Sequence, residues 1–481
     1  MRAMLRDKRF LFLFSVTLLI RLALLIEVQV SDPELHMLHD SYGYASIGEN
    51  FFEHGVWSQS EEVPFYPDVF RTPVYPLLIG TIVQLGGDLL VLMLVQMLVS
   101  LLTLYFILRA VELLSNGNTK VMLIIGWLYA LDVPSIVMGN LVMTENVFAM
   151  LMAGVVWMFV AAQCRGENGN ENGNGNGNGK EDVGRLPYPI HRPVPNKAPG
   201  LPFTVHRSLL YAGIFLGLAI LTRPVALYLP LVLIPFLLWK FRKQALWLVV
   251  PVVVLSGSWY ARNYAVHRQV FYSEIGNFNL LYFQAADLFA KENGLSLDQA
   301  RAHLYEQVQN EMEVIPREDP VLFYERCGRK AKRIIATQPG GFLKNALKAH
   351  GNLFFRPLRG YLDYQLGVAD VYSANSPYGR TSFLGLFAEG SHWFTFLTIP
   401  LQLLINLVVF VALLISLFRM FRKERTLFWL ALILIGYFVL VCSGPEIDAR
   451  FRVAVLPLLL AFTTRGFFYR KGREGINREG R

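Results

Sequence analysis

Carboxylate and guanidinium side chains occur at the ends of several apolar stretches in this sequence. Asp40 lies in the segment His39-Asp40-Ser41-Tyr42-Gly43-Tyr44-Ala45, and Arg71 closes the same polar region. A positioned carboxylate can accept a proton as a general base, and a guanidinium fork is well suited to bind a phosphate. Two other roles stay open, because Asp40 could only cap a helix and Arg71 could contact lipid headgroups.

A second set of such residues lies further along the chain. It comprises Arg223 in a Thr-Arg-Pro turn, Arg262 and Asn263 after Trp259-Tyr260-Ala261, and Glu446, Arg450 and Arg452 before the last apolar stretch. Ionisable groups at membrane depth are functional candidates, because they are costly to keep there. Arg262 could instead extend along an aromatic belt, and Glu446 and Arg450 could pair on a helix.

The elements that position these residues are predicted to cross a bilayer. The chain has 481 residues, of which 54% are hydrophobic and 17% charged, with a mean hydropathy of +0.38. A soluble domain carries roughly a quarter charged residues. The net charge of +9 lies beside apolar runs, as expected for cytoplasmic ends of membrane helices, and therefore does not indicate nucleic-acid binding.

The pattern predicts an all-α polytopic membrane protein with about ten spans, since each needs roughly 20 apolar residues. Clusters of Lys and Arg place both termini in the cytoplasm and predict a plasma (inner) membrane protein. The predicted spans are 10–30, 88–110, 121–138, 145–163, 208–222, 225–239, 244–260, 396–418, 427–443 and 451–467. We expect a module over 1–260, an outside region over 261–395 and a three-span region over 396–481.

Several segments between the spans have their own signatures. The first outside loop, 31–73, is expected to contain a helix capped by Asp40 and ended by Gly55, with Tyr44, Ile47, Gly48 and Phe51 on one face. The short stretch 75–85 is predicted to lie at the interface, where Tyr75 would be an anchor.

Surface helices are expected over 296–314, 319–338 and 341–355, with Ser296 as an N-cap. The cytoplasmic linker, 165–207, includes a Gly, Asn and Glu segment, 166–179, that predicts disorder.

Metal and cofactor signatures are not found in the sequence. Cys164, Cys327 and Cys442 are scattered, and His36, His39 and His54 match no ligand spacing. There is no phosphate loop and no dinucleotide fingerprint. We therefore expect neither a metal nor a cofactor.

Taken together, the motifs resemble the glycosyltransferase-C superfamily, in particular the bacterial branch related to protein O-mannosyltransferases and the aminoarabinose transferase that modifies lipid A. The resemblance covers nearly the whole chain. It is carried by Asp40-Ser41-Tyr42 with Tyr44 and Ala45; Arg71-Thr72-Pro73-Val74-Tyr75-Pro76; Thr144-Glu145; Thr222-Arg223-Pro224; Trp259-Tyr260-Ala261-Arg262-Asn263; and Glu446 with Arg450-Phe451-Arg452 and Pro457.

The resemblance implies a seven-span module, a polyprenyl-phosphate sugar donor and an inverting transfer on the extracytoplasmic side. Asp40 would be the general base, and the acceptor would be a glycan, a lipid or a protein. Donor-binding residues would be Arg71, Tyr75, Arg223, Arg262, Asn263 and Arg450, with Tyr42, Tyr44, Glu446 and Arg452 in supporting or acceptor-side positions. Many relatives carry a second acidic residue after the Asp, where this chain has Ser41, and this difference argues against a metal-dependent site.

Two other functions stay open at this point. A transporter of a lipid or glycan precursor would share the many spans, although we find no internal repeat of the kind many transporters show. A membrane polymerase or ligase of oligosaccharides would share both the topology and the phosphate-binding arginines. The size of the accepted donor separates this last class from a single-sugar transferase.

Overall fold

The computed structural model describes residues 4, 6–171, 204–312, 319–368 and 393–467. Within these ranges the regular structure is helical, apart from one isolated bridge between Ser58 and Pro67. The first half contains α1 (Lys8–Ser31), α2 (His39–His54), α3 (Val74–Gln84), α4 (Leu89–Leu114), α5 (Thr119–Ala130), α6 (Val133–Gly139), α7 (Glu145–Glu171), α8 (Val205–Thr222), α9 (Leu229–Phe241) and α10 (Leu246–His267).

The second half continues with shorter helices and ends with three apolar ones. They are α11 (Ile275–Asn279), a π-helical turn (Leu280–Ala285), α12 (Ala286–Asn293), α13 (Leu297–Met312), α14 (Pro320–Thr337), α15 (Pro339–Phe355), α16 (Arg359–Gln365), α17 (Trp393–Lys423), α18 (Arg425–Val441) and α19 (Ala449–Phe467). The predicted surface helices correspond to α13, α14 and α15. The Oγ of Ser296 accepts a hydrogen bond from the Gln299 N–H at 3.2 Å, as expected for an N-cap.

The helices are those of an all-α polytopic membrane protein, as predicted. Six described helical stretches are long and apolar enough to cross a bilayer, or seven if the bent pair α5 and α6 is one span. Two further apolar helices, α3 and α18, are shorter. The total of about ten spans therefore stays a prediction.

The third predicted span is not continuous. Its two halves, α5 and α6, are bent by 56° at the break between them. Asp132 ends the first half and caps the second, accepting a hydrogen bond from the Ser135 N–H at 2.9 Å. Pro134 follows at the start of α6, where its missing N–H costs nothing. The span predicted over 121–138 therefore consists of two helices, with a capping residue at the break.

The predicted disordered segment begins inside a helix. α7 continues to Glu171, several residues into the Gly, Asn and Glu stretch. The disorder predicted for this segment stays a prediction. The rest of that segment, 172–179, lies outside the described residues.

The core surrounds α7. About 89% of its apolar stretch is buried, a larger share than in any other described spanning helix. It packs against α4, α8 and α19, and Gly154 makes room for the ring of Phe215 from α8. The first residue of α7, Glu145, is consequently held in the centre of the helix bundle.

The first outside loop is folded onto the bundle through α2 and α3. A Cβ added at Gly48 would lie 2.5 Å from the Pro76 carbonyl oxygen and 2.9 Å from the Gly80 nitrogen, so the two backbones touch. Tyr44, Ile47 and Gly48 are buried as predicted, but Phe51 is 41% exposed. This close helix contact sets the position of the amino-terminal end of α2.

Candidate active site

Asp40 lies in the first turn of α2 and does not cap the helix. The helix begins two residues earlier than a cap at Asp40 would place it, with Leu38 in the N-cap position. Ser41 supplies the capping contacts instead: its Oγ accepts the Leu38 N–H at 2.8 Å and donates to the Val142 carbonyl at 2.8 Å. The expected cap role for Asp40 was wrong, and its carboxylate is available for another partner.

That partner is Arg71. Its Nη2 donates to Oδ1 of Asp40 at 2.8 Å, and its Nη1 donates to the hydroxyl of Tyr44 at 3.2 Å. The guanidinium carbon also lies 4.5 Å from the centre of the Tyr44 ring. Tyr44 therefore holds the guanidinium both by its ring and by its hydroxyl.

Arg450 is the second cation beside Asp40. Its Nη1 lies 3.8 Å from Oδ2 of Asp40, and its Nε lies 3.3 Å from Oε1 of Glu145. Asp448 fixes the backbone here, because its Oδ1 accepts the Arg450 N–H at 2.8 Å at the start of α19. Arg450 thus lies between two carboxylates rather than pairing with Glu446 as a helix neighbour.

Glu145 joins Arg450 to a third guanidinium. Its Oε1 lies 2.7 Å from Nη1 of Arg223, whose Nη1 also donates to Oγ1 of Thr144 at 3.0 Å. The side chain of Glu145 is fully buried. The motif Thr144-Glu145 contributed to the family resemblance, but Glu145 was not predicted to be a site residue. The available signal was a carboxylate at the first residue of a very apolar helix.

These five side chains alternate in charge. We call Arg71, Asp40, Arg450, Glu145 and Arg223, in that spatial order, the charge row. Three guanidiniums face two carboxylates, so the row itself carries a surplus positive charge. Buried charges are strongly destabilised unless they are compensated. A row with surplus positive charge therefore favours an anion as its ligand.

Two acidic groups, Glu446 and Asp448, adjoin the row, and Arg356 acts on Asp448 as a further cation. Burial raises the pKa of the Glu446 carboxyl to about 7, so it is partly protonated at neutral pH. Burial also raises the pKa of Asp448, whose carboxylate is already used at the start of α19. Glu446 Oε2 is buried without a hydrogen-bond partner among the described residues.

The protonation of Asp40 depends on the arginines beside it. Burial by itself raises the pKa of the Asp40 carboxyl, but the charges of Arg71 and Arg450 outweigh burial and lower the pKa to about 2. About 36% of the side chain is exposed, so a second molecule can reach the carboxylate. Asp40 is therefore ionised and accessible in the unliganded protein.

Arg262 and Asn263 are not part of the charge row. Nη1 of Arg262 donates to Oδ1 of Asn263 at 2.9 Å, and the Asn263 amide donates to the Phe271 and Tyr272 carbonyls at 3.1 and 3.0 Å. The same end of α10 supports the loop that carries Arg71. The Trp259 ring lies 5.3 Å from the Trp57 ring, and Trp57 donates to the Arg71 carbonyl at 3.2 Å.

Tyr75 and Tyr42 also lie apart from the row. Tyr75 is fully buried, with its hydroxyl donating to Gln96 at 3.3 Å and its ring 5.3 Å from that of Tyr44. The expectation of an interface anchor was wrong, because the contact between α2 and α3 encloses this ring. Tyr42 is 53% exposed and donates to Glu34 at 3.0 Å.

Arg452 belongs to a separate buried ion pair. Its Nη2 lies 3.3 Å from Oδ1 of Asp132, and its Nη1 donates to the Phe354 carbonyl at 3.3 Å. Both side chains are almost completely buried. The pair ties α19 to the break between α5 and α6.

Comparisons with known proteins give similarities in structure alone. No family model matches the chain, and no curated protein matches it in sequence. It is similar to the archaeal oligosaccharyltransferase AglB from Archaeoglobus fulgidus, solved with an inhibitory peptide and a dolichol-phosphate, at 15% identity and a TM-score of 0.44. That alignment covers 92% of this chain and 50% of the archaeal protein, so the chain spans about half of its length.

The chain is also similar to ArnT from Cupriavidus metallidurans. The structure bound to undecaprenyl phosphate aligns at 15% identity and a TM-score of 0.38, covering 93% of this chain and 76% of that protein. The apo structure aligns at 15% identity and a TM-score of 0.33, covering 89% and 72%. Identities of 15% and TM-scores under 0.5 do not assign a function to this chain, so the function is inferred from the residues of the site.

Proposed function

We propose that the chain is a membrane glycosyltransferase that moves a sugar from a polyprenyl-phosphate donor to an acceptor hydroxyl. The observation that carries this proposal is the charge row, in which an accessible carboxylate lies beside guanidiniums that outnumber the acids paired with them. A base next to an anion-binding group is what a sugar transfer with a phosphate leaving group requires.

The reaction is a single in-line displacement. The acceptor oxygen forms a bond to the anomeric carbon, the bond from that carbon to the phosphate oxygen breaks, and the configuration inverts. The acceptor proton passes to Asp40, and polyprenyl phosphate leaves as the anion. Asp40 suits the base role because it is ionised and partly exposed.

The arginines of the row stabilise the departing phosphate. Arg71 and Arg450 both approach Asp40, so a phosphate held between them would lie next to the base. Guanidinium forks bind phosphate oxygens with short, charge-assisted hydrogen bonds. Glu145 acts as a positioning residue that keeps Arg450 and Arg223 side by side.

Binding of the donor also corrects the weakness of Asp40 as a base. A carboxyl with a pKa of about 2 accepts a proton poorly. A phosphate that shares Arg71 and Arg450 would draw their charge away from Asp40 and raise its pKa. The base then becomes effective only when the donor is present.

The position of the row in the fold supports an extracytoplasmic reaction. Arg223 follows α8, Glu145 begins α7 and Arg450 lies at the start of α19, so the row gathers helix ends that the charge pattern assigns to the outside. Nucleotide sugars are absent from that side, so an activated sugar has to arrive on a lipid. The donor class follows from this placement.

The Asp40→Asn variant tests the proposal. The enzyme is reconstituted in nanodiscs with a panel of radiolabelled undecaprenyl-phosphate hexoses and pentoses, and release of the sugar to acceptor or water is measured. We expect loss of transfer by several orders of magnitude, with binding of undecaprenyl phosphate retained. Asp88→Asn is the matched control, because Asp88 only caps α4 and Asn caps equally well. Transfer by Asp40→Asn at the wild-type rate would overturn the proposal.

A further inference from the structure

An outward face of α15 carries two leucines and two lysines. Leu343 and Leu347 are one turn apart and are 59% and 63% exposed. Lys344 and Lys348 follow them directly and are exposed as well. Scattered exposed leucines are ordinary on a protein surface, but a leucine pair flanked by cations at helical spacing is typical of a membrane-surface helix.

A neighbouring face of α15 packs against the protein and fixes the orientation of the helix. Ala349 and Leu353 pack with Cys442 and Ile447, which lie in the turn between α18 and α19. The Nε2 of His350 lies 2.7 Å from the Val439 carbonyl oxygen, near the end of α18. The helix therefore cannot rotate its leucine face towards the protein without losing these contacts.

The carboxyl end of α15 lies against membrane-spanning helices. The rings of Phe354 and Phe355 lie 5.6 and 5.1 Å from the ring of Phe410, within the apolar stretch of α17. Leu347 precedes Ala349, the first of the residues that pack on the turn, by less than one helical turn. The leucine face is therefore level with the outer ends of the spans.

A second pair of exposed apolar side chains lies at the end of α18, on which α15 packs. At the end of α18, Leu440 is 74% exposed and Val441 is 46% exposed. These residues close a strongly apolar helix of the bundle, so the lipid phase reaches them. Contact with the same lipid would remove the exposed leucines of α15 from water.

Lys344 and Lys348 have no acidic partner within the described part of the chain. Among the described residues, neither Lys344 nor Lys348 forms an ion pair, whereas Lys330 on α14 pairs with Glu311. Lysines at the membrane boundary extend towards headgroup phosphates and are attracted to an anionic surface. Their charge complements an anionic lipid surface.

We propose that α15 rests on the outer leaflet, with Leu343 and Leu347 inserted between lipids and Lys344 and Lys348 bound to the phosphates of anionic phospholipids. The partner is the bilayer surface, and the inference does not depend on the proposed function. Because α15 also packs on the turn that precedes Arg450, this contact holds one wall of the charge row at a fixed height.

Spin labels test the depth of this face. Leu343→Cys and Leu347→Cys are labelled in a background where Cys164, Cys327 and Cys442 are replaced by Ala, and the protein is placed in nanodiscs. We expect collision rates with oxygen to exceed those with a nickel chelate several-fold. Glu306→Cys, at an exposed position on the polar helix α13, is the control and should show the reverse ratio.

The lipid charge is varied in the same assay. Both spin labels should lie deeper in bilayers that contain phosphatidylglycerol than in bilayers of phosphatidylcholine alone. The double variant Lys344→Gln and Lys348→Gln should remove that difference in depth. The control variant Lys330→Gln should retain it. Quenching of Leu347→Trp by brominated lipids measures depth with the native cysteines present. The proposal would be overturned if the nickel chelate reached these labels as readily as it reaches the label at Glu306. It would also be overturned if a second copy of the chain shielded the labels from both reagents, or if their depth did not depend on lipid charge.

Discussion

The guanidinium of Arg71 donates a hydrogen bond of 2.8 Å to the carboxylate of Asp40, 31 positions away in the chain. This contact joins the two ends of the first outside loop and ties a proposed base to a proposed phosphate ligand. It also makes the pair testable, because the charge of Arg71 lowers the pKa of the Asp40 carboxyl.

Arg71→Ala should weaken binding of undecaprenyl phosphate. Charge-assisted hydrogen bonds contribute about 1.5–3 kcal/mol, which corresponds to an increase in Kd of about 10- to 150-fold. Arg71→Lys should recover only part of this loss, because an ammonium cannot form two parallel bonds to a phosphate. The Kd is measured in nanodiscs by titration. Arg329→Ala, in an exposed pair on α14, is the control, and equal Kd values for Arg71→Ala and the control would contradict the assignment.

The Arg262→Ala variant tests whether Arg262 binds the donor phosphate. The sequence predicted a donor-binding arginine here, whereas the structure places Arg262 against Asn263 and Trp259. We expect a change in the Kd for undecaprenyl phosphate much smaller than that of Arg71→Ala. A loss as large as that of Arg71→Ala would show that the donor phosphate reaches α10.

Much of the fold follows from local sequence, and the site does not. Apolar runs and caps fix the helices, as Gly55 shows by ending α2 in the left-handed conformation at φ 69°. The pairing of Asp40 with Arg71 and Arg450 arises from tertiary packing, which no local pattern contains. Arg450 and Arg452 both lie in the first turn of α19 and have similar neighbours in sequence. Because they are two residues apart on a helix, their side chains point in nearly opposite directions. One faces the charge row and the other faces Asp132.

Glu145→Gln should lower the free energy of unfolding by about 3–5 kcal/mol, because two buried guanidiniums lose their carboxylate. Thermal unfolding in detergent measures the effect. Glu424→Gln breaks a partly exposed pair with Arg465 and should cost less than about 1 kcal/mol. An equal loss in both variants would contradict the central, buried position of Glu145.

Protonation of Glu446 should make stability depend on pH near neutrality. Its pKa is raised by burial to about 7 in the folded protein, against about 4.3 in an unfolded chain. The resulting stability is fully present below the unfolded value and is lost as the pH rises through about 7. The Tm of the wild type should therefore fall over this window relative to Glu446→Gln. Parallel Tm profiles would contradict the burial of this carboxyl.

Gly48→Ala should disturb the contact that positions Asp40. The added methyl would lie 2.5 Å from the Pro76 carbonyl oxygen, so α2 and α3 must separate, at a cost of about 1–3 kcal/mol. Gly436→Ala on α18 is the matched control, since no atom lies within 4 Å of its added Cβ and Ala favours a helix. We expect lower Tm and slower sugar transfer for the first variant alone.

The most direct measurement is a structure of the protein with undecaprenyl phosphate in nanodiscs. We expect the phosphate to lie within hydrogen-bonding distance of Arg71 and Arg450, next to Asp40. The lipid chain should extend from there towards the bilayer. A phosphate bound elsewhere, for example at Arg262 or on the face of α15 alone, with the charge row unchanged, would contradict the proposed active site.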